Sequence, residues 1–290
     1  MILRVEIYVL SITDDNKEYA ILTRGERTGV FASRKQNRLL NTQAYLQRIQ
    51  YGGSVNATLE TLSALHEAHQ LTVPFENLDI PMRRPIVLDE AAFYQKIVKH
   101  RRGGFCYELN GLFADLLRTL GFHVSLLSAG VGHGDGSFGP PFDHLLLLVE
   151  LQEQWLVDVG FGDSFLTPLR FTSDKQEQDG RVYTIKNDGK GYIIWRRDRE
   201  GQDGESLYRF TLEAHALSDF AGMCHYQQHS PDSVFTRHRT CTRATPEGRI
   251  TLRDSRLIIR NNGQRSIQKI PDELTYQTVL REHFGIVMSE

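Results

Sequence analysis

The sequence predicts an α+β fold: a helical bundle, then an antiparallel β-sheet or barrel, then a mixed α/β segment. Three observations carry that prediction. Between Asn41 and Gly121 apolar residues recur at helical spacing; after Gly121 the period falls to 2 or to short unbroken apolar runs; beyond Ser218 the two patterns mix. The 290 residues hold one large domain or two to three small ones, and 40% apolar residues are enough for packed cores.

Residues 1–40 are the least periodic part. A short apolar alternation, Ile2 to Ile12, gives way to polar and basic text ending in Arg34-Lys35-Gln36-Asn37-Arg38, and the segment is read as an appended N-terminal arm. Glu6 interrupts the apolar stretch and no small-residue cleavage site follows, so it is not read as a signal peptide. Asn41 or Thr42 can cap a first helix carrying Tyr45, Ile49 and Tyr51. A second helix runs from Thr58 through Leu59, Leu62 and Leu65, and Pro74 stops it. Pro74 to Leu78 is expected to be a turn-rich linker, and Leu88-Asp89-Glu90 to open a third helix reaching about His100. A fourth helix carries Leu109, Leu112, Phe113, Leu116, Leu117 and Leu120 on one face and stops at Gly121.

Strands are then expected at Val124–Val131, Leu145–Leu151, Trp155–Val159, Val182–Lys186, Tyr192–Arg196 and Leu207–Leu212, with Gly, Pro and Asp-rich turns between them. The last part holds a helical piece, strands at Arg249–Leu252 and Arg256–Arg260, and a helix Leu274–Phe284 opened by Pro271-Asp272-Glu273. The domain division is therefore 1–40 arm, 41–121 bundle, 122–217 sheet or barrel, and 218–290 mixed segment.

Composition excludes several roles. A net charge of −2 and a pI near 6.6 give no global attraction to nucleic acid or to anionic membrane. No run of eighteen apolar residues spans a bilayer. Three widely spaced cysteines (106, 224, 241) look like free thiols of a reducing, cytoplasmic compartment. His66 and His69 are expected on a solvated helix face, and Cys224, His225 and His229 in a loop near the site's mouth. Neither group shows a familiar metal spacing, so no metal is expected.

The chemistry gathers at Arg101-Arg102-Gly103-Gly104-Phe105-Cys106. Cys106 falls in the first turn of the fourth helix, where free N–H groups and the positive end of the dipole favour an anion, so its thiol is expected to ionise easily. A cysteine nucleophile needs a base and an orienting acid. The best pair is His144, opening the run Leu145–Val149, and Asp158 in Trp155-Leu156-Val157-Asp158-Val159, because each is a polar residue in apolar text and the two satisfy one another. They are fourteen residues apart, so direct opposition in a hairpin centres the turn on Leu151, an uncomfortable loop residue; a bulge or a diagonal contact is the alternative. Glu76 and Asn77 are expected to fix the bundle by buried polar contacts, and Arg101-Arg102 to be a solvated pair or to pair with Glu76 or Glu108.

The run Arg102 to Phe113 (RGGFCYELNGLF), the upstream PFENLDI from Pro74, the downstream FDHLLLLV and LVDVGFGD, and the late SPDSVFT together resemble the arylamine N-acetyltransferase family over about residues 40–290. The resemblance implies a helical bundle, a central antiparallel β-barrel and a C-terminal α/β lid around a cysteine-protease-like Cys-His-Asp core. It implies an acetyl-coenzyme A-dependent enzyme with Cys106 as acetyl acceptor, His144 as base and Asp158 as its orienter. Phe75, Phe161 and Phe235 correspond to apolar walls for an arylamine, hydrazine or arylhydroxylamine acceptor. The Gly160-Phe161-Gly162 turn is expected to approach the coenzyme and offer it N–H groups. Two alternatives on the same scaffold are a macrolactam-forming amide synthase and a Cys-dependent amide hydrolase. The family pattern does not need residues 1–40, so deleting them should leave acetyl transfer within a few-fold. A folded truncated protein without activity contradicts this reading.

Overall fold

Side-chain caps mark where the helices begin. In the computed structural model, which describes residues 41–198 and 203–288, Asn41 Oδ1 accepts from Ala44 N at 2.9 Å and starts α1 (Thr42–Arg48). Thr58 and Asp89 do the same for α2 (Leu59–Thr72) and α3 (Glu90–Tyr94), and a π-helical turn, Gln95–Lys99, prolongs α3. The arm predicted at 1–40 lies outside the described residues. Between α2 and α3 the expected linker contains a two-residue strand, β1 (Phe75–Glu76), too short to leave a period in the sequence.

The helix α4 (Cys106–Thr119) is the axis of the molecule. One buried face was predicted, yet every residue from Cys106 to Ala114 is buried. The reason is packing on two sides: α4 lies against α3 and against two strands, β2 (His123–Val131) and β3 (His144–Glu150). Gly121, at φ +91°, follows α4 as the predicted stop.

Six further strands, β4 (Gln154–Val157), β5 (Leu169–Arg170), β6 (Gln176–Gln178), β7 (Arg181–Asn187), β8 (Tyr192–Arg197) and β9 (Glu205–His215), join β2 and β3. The sheet is antiparallel in the order β5-β4-β3-β2-β9-β8-β7-β6. It curls into a barrel whose seam lies between β5 and β6, where side-chain amides replace a ladder. Gln176 exchanges bonds of 2.8 and 2.9 Å with the Arg170 backbone, and Gln178 bonds of 3.0 and 2.9 Å with the Thr167 backbone. These short strands were not predicted, since neither carries an alternating apolar pattern.

After a 3₁₀ turn at Leu217–Phe220 come α5 (Ala221–His229) and α6 (Val234–Arg237). Four strands, β10 (Thr240–Thr245), β11 (Gly248–Arg253), β12 (Arg256–Asn261) and β13 (Gln264–Lys269), then line up on β1 in the order β1-β10-β11-β12-β13. The final helix α7 (Glu273–Phe284), capped by Asp272, covers them and completes the α/β lid. Asn77, just past β1, donates to the carbonyls of Phe235 (3.0 Å) and His238 (2.7 Å) and accepts from Thr240 N (2.7 Å), so one buried amide ties the bundle to the lid.

Strand β3 divides two cores. Leu145, Leu147 and Val149 pack with the bundle, while Leu146 and Leu148 fill the barrel interior with Tyr208 and Phe210 of β9. Burial on both faces explains its unbroken apolar run. His144 opens this strand at the junction of the two cores. No helix among the described residues is long and apolar enough to cross a membrane.

Candidate active site

Cys106 is the first residue of α4, and a tight loop presents it. A Cβ on Gly103 would run into the carbonyl of Pro74, and Glu76 N donates to Gly104 O at 2.8 Å, so the loop lies flat against β1. Beneath it five charges are packed. Lys96 Nζ lies 2.7 Å from Asp79 and 2.9 Å from Glu108, and Arg102 Nη2 lies 2.8 Å from Glu76 and 3.1 Å from Asp79. Arg102 is thus buried and paired, whereas its neighbour Arg101 is exposed. Glu108 also accepts from Phe105 N at 3.1 Å, which fastens the start of the helix that holds Cys106.

The hairpin β3–β4 pairs Leu147 with Val157 and Glu150 with Gln154, so its three-residue loop centres on Gln152 rather than Leu151. In this register His144 and Asp158 are not opposite one another; they are two positions out, on the same face, and meet diagonally with Nε2 to Oδ2 at 2.9 Å. Asp158 is fully buried and its carboxylate receives four donors. His144 Nε2 and Tyr208 OH (3.0 Å) reach Oδ2; Asn110 Nδ2 (2.9 Å) and Gly160 N (2.9 Å) reach Oδ1. Burial works against ionisation, but the His144 charge and these hydrogen bonds hold Asp158 below the usual carboxylate range. An ionised Asp158 makes Nε2 the donor, which leaves Nδ1 as the acceptor of the neutral ring.

The residues around this pair escaped the sequence reading. Asn110 lies one turn after Cys106 and bonds Leu145 O (2.7 Å), Asp158 and Val159 N (2.9 Å), lashing α4 to both strands. Its i+4 spacing from Cys106 was a usable signal. Tyr208 had none. His66 and His69, expected on a solvated face, are both buried. His66 Nε2 accepts from Asp158 N at 3.1 Å while Nδ1 meets Leu166 O at 2.7 Å, and burial pushes the ring down to about 4, so it stays neutral. Next to it, Gln70 donates to Asp158 O at 3.0 Å. Cys224, His225 and His229 lie on helix α5, not a loop: Cys224 is buried and the two imidazoles stack at 4.2 Å. No group of three or more His, Cys, Asp or Glu among the described residues could hold a metal ion.

Two expectations for this site change. Cys106 is buried, and that pushes its thiol well up; a hydrogen bond from the Leu145 backbone works the other way, and the charges of Asp143 and Asp158 add to the rise. Desolvation therefore opposes the ionisation that the helix start favours. Gly160 is pressed on the α4 backbone, where a Cβ would lie 2.9 Å from Cys106 Cα and 2.8 Å from Asn110 Nδ2, and its N–H is spent on Asp158. Its N–H serves Asp158, so that donor is not free for a coenzyme. Phe161 packs edge-on to His144 and to Tyr208, each at 5.2 Å. A Cβ on Gly162 would lie 3.4 Å from the Phe75 ring, and Phe75 meets Phe235 at 6.0 Å. Phe161 thus borders the imidazole, while Phe75 and Phe235 pair with one another beside the Gly162 backbone.

A helix-start cysteine and a carboxylate-held histidine are the residue types of a cysteine-dependent enzyme with a Cys-His-Asp triad. A sequence profile of the N-acetyltransferase family matches residues 58–290. The arylamine N-acetyltransferase of Escherichia coli (strain K12) is 37% identical over 247 residues, covering 83% of this chain and 87% of that protein. The solved arylamine N-acetyltransferase of Salmonella typhimurium superposes with a TM-score of 0.81 at 34% identity, over 86% of this chain and 92% of its own. The Mycobacterium marinum enzyme, solved in complex with CoA, superposes at 0.79 with 29% identity, over 85% and 93%. The chain belongs to the arylamine N-acetyltransferase family.

The charge cluster under Cys106 yields a stability prediction. Burial pushes Glu108 up to about 7, with Lys96 pulling down and Glu76 pushing up, against 4.5 for an ordinary glutamate. The folded protein therefore holds this proton more tightly than the unfolded chain. Its contribution is complete below about 4.5 and is lost as the pH rises through about 7. Glu108→Gln keeps an acceptor for Phe105 N and should flatten this slope. Comparing urea midpoints at pH 5 and 8, the parent should lose on the order of 2 kcal/mol more than the variant.

Proposed function

We propose that the protein moves an acetyl group from acetyl-coenzyme A to an aromatic amine, hydrazine or arylhydroxylamine through an acetyl-cysteine on Cys106. The observation that carries the reading is the buried His144–Asp158 pair, with Nε2 committed to the carboxylate and Nδ1 left as base. Because burial raises the Cys106 thiol, the thiolate forms by passing its proton to His144 Nδ1. The thiolate attacks the acetyl carbonyl, and coenzyme A leaves as a thiol carrying the proton from His144. The amine nitrogen then attacks the Cys106 thioester, His144 takes the ammonium proton, the amide departs and the thiol is restored. Thioester to amide is downhill, and the two half-reactions give ping-pong kinetics.

The parts of the chain divide this work: residues 41–121 present the thiol, 122–217 the base and its acid, and 218–290 the outer pocket wall through Phe235. With Gly160 N committed to Asp158, the N–H groups of Phe161 and Gly162 are the ones left for the amides of the incoming acyl donor. Phe75 and Phe235 form the acceptor wall, and Phe161 both lines the pocket and braces the imidazole.

All three cysteines are buried, and burial pushes Cys224 up to about 12 and Cys241 well up as well. Among the three, a partner base alone distinguishes Cys106. Limiting iodoacetamide near pH 7 should therefore label Cys106 first, abolish transfer in step with labelling, and be blocked by prior acetyl-coenzyme A. His144→Ala should remove the selectivity. Peptide mapping that finds Cys224 or Cys241 labelled first, or full activity after Cys106 is capped, refutes the assignment. Release of free coenzyme A thiol beyond one equivalent per enzyme that requires an aromatic amine separates acetyl transfer from hydrolysis and from macrolactam formation.

The separate surroundings of Phe75 and Phe161 predict a split between half-reactions. Phe75→Ala should cost about 1 to 3 kcal/mol in acceptor kcat/KM and spare acetylation of Cys106, as expected for a lost ring contact. Phe161→Ala should slow both, since it also frees the imidazole. Pre-steady-state measurement of each half-reaction checks this, and equal losses for Phe75→Ala make it a packing residue instead.

A further inference from the structure

Away from the triad, a cleft of about 610 Å³ lies between the carboxyl ends of α2 and α7, and four arginines line it: Arg48, Arg101, Arg243 and Arg281. Arg48 is buried, and among the described residues all its partners are neutral carbonyls: Ile97 O at 2.9 Å, Thr72 O at 3.1 Å, Arg102 O at 3.1 Å and Arg101 O at 3.4 Å. Arg243 is half-buried and uses two of its five N–H donors, on Leu71 O and His283 O (2.9 Å). The exposed side chains of Arg101 and Arg281 make no hydrogen bond or ion pair among the described residues. Two carboxylates, Glu67 and Glu282, also line the cleft, but both are exposed and neither lies within ion-pair distance of these arginines.

Charge is out of balance here, in contrast to the cluster beneath Cys106. The two helix ends supply roughly half an elementary charge each, about one in all, against the two guanidiniums drawn in between them. Burial and the neighbouring charges of Arg101 and Arg243 push Arg48 down to about 10, which still leaves it protonated at neutral pH. A desolvated cation without a counter-ion is costly, and an oxyanion in the cleft relieves the repulsion while taking the unused donors of Arg243 in the paired geometry that guanidinium offers to phosphate.

We infer that this arginine-lined cleft is a binding site for a phosphate-type oxyanion. Arg48 in turn donates to the carbonyls of Arg101 and Arg102, the two residues before the Gly103–Cys106 loop, and so links the cleft to that loop. Two sources share the chemistry: free inorganic phosphate, and the phosphates of the acyl donor's nucleotide end.

The probe is inorganic phosphate, added to the full-length protein at ionic strength held constant with chloride, with thermal unfolding and equilibrium dialysis as readouts that do not depend on acetyl transfer. Phosphate should raise the unfolding temperature saturably and chloride should not. In the double variant Arg101→Asn, Arg281→Gln, whose side chains bond nothing in the fold and whose Asn tolerates the φ of +53° at 101, phosphate affinity should fall roughly 5- to 10-fold. Arg101→Asn alone should give part of that loss. Adenosine 3′,5′-bisphosphate then distinguishes the sources: if it competes with phosphate and weakens by the same factor in the double variant, the cleft holds the donor's phosphates; if it does not compete, the cleft takes the free oxyanion. Equal responses to phosphate and chloride, or unchanged phosphate affinity in the double variant, overturn the assignment.

Discussion

The carboxylate of Asp158 is the constraint on which the rest of the site depends. An ion taken entirely out of water is tolerable only when its lone pairs are met, and here four donors meet them from α4, β3, β9 and the Gly160 turn. That requirement sets the histidine tautomer, with Nε2 on the carboxylate and Nδ1 left over. It also sets the backbone beneath. His66 must stay neutral to accept from Asp158 N, and its burial ensures this. Gly160 must lack a Cβ because the α4 backbone occupies that space. Asn110 ties the helix that carries Cys106 to the strand opened by His144 and to the Asp158 turn through one side-chain amide.

Two arginines adjacent in sequence illustrate how burial and pairing sort charge. Arg102 turns inward to Glu76 and Asp79, and with Lys96 and Glu108 it builds a platform of three carboxylates and two cations under the helix start. Burial, with the nearby charge of Glu76, makes Glu108 the carboxylate of this cluster that most readily holds a proton, while three surrounding carboxylates offset the burial of Lys96 and hold it firmly protonated. Arg101, at positive φ, turns the other way, toward a cleft where cations lack such partners. The loop leading to Cys106 therefore runs between a compensated cluster and an uncompensated one.

Much of the architecture was legible because it is written in periods. Long apolar helices, the caps at Asn41, Thr58, Asp89 and Asp272, and most strands with several buried residues leave a repeat that local physics explains. The strands that went unread leave none: β1 and β5 have two residues each, β6 has three, β10 buries Cys241, Thr242 and Ala244 without apolar alternation, and β13 is exposed throughout. His66 and His69 were placed on a wet face because histidine is polar. They are buried because α2 packs between Phe113 of α4 and Phe165, a relation between segments far apart in the chain.

By itself the sequence nominated Cys106, His144 and Asp158, since a thiol at a helix start and lone polar residues in apolar strands are local statements about residue type and neighbours. Tertiary structure alone decided how those residues are arranged. A register shift of one position in the turn makes the His144–Asp158 contact diagonal, and burial, a property of the whole fold, raises the Cys106 thiol that a local dipole argument lowers. Tyr208, His66 and Gln70 join the site from 50, 92 and 88 residues away. Contacts at that range are set by packing rather than by pattern, which is why no spacing in the chain announces them.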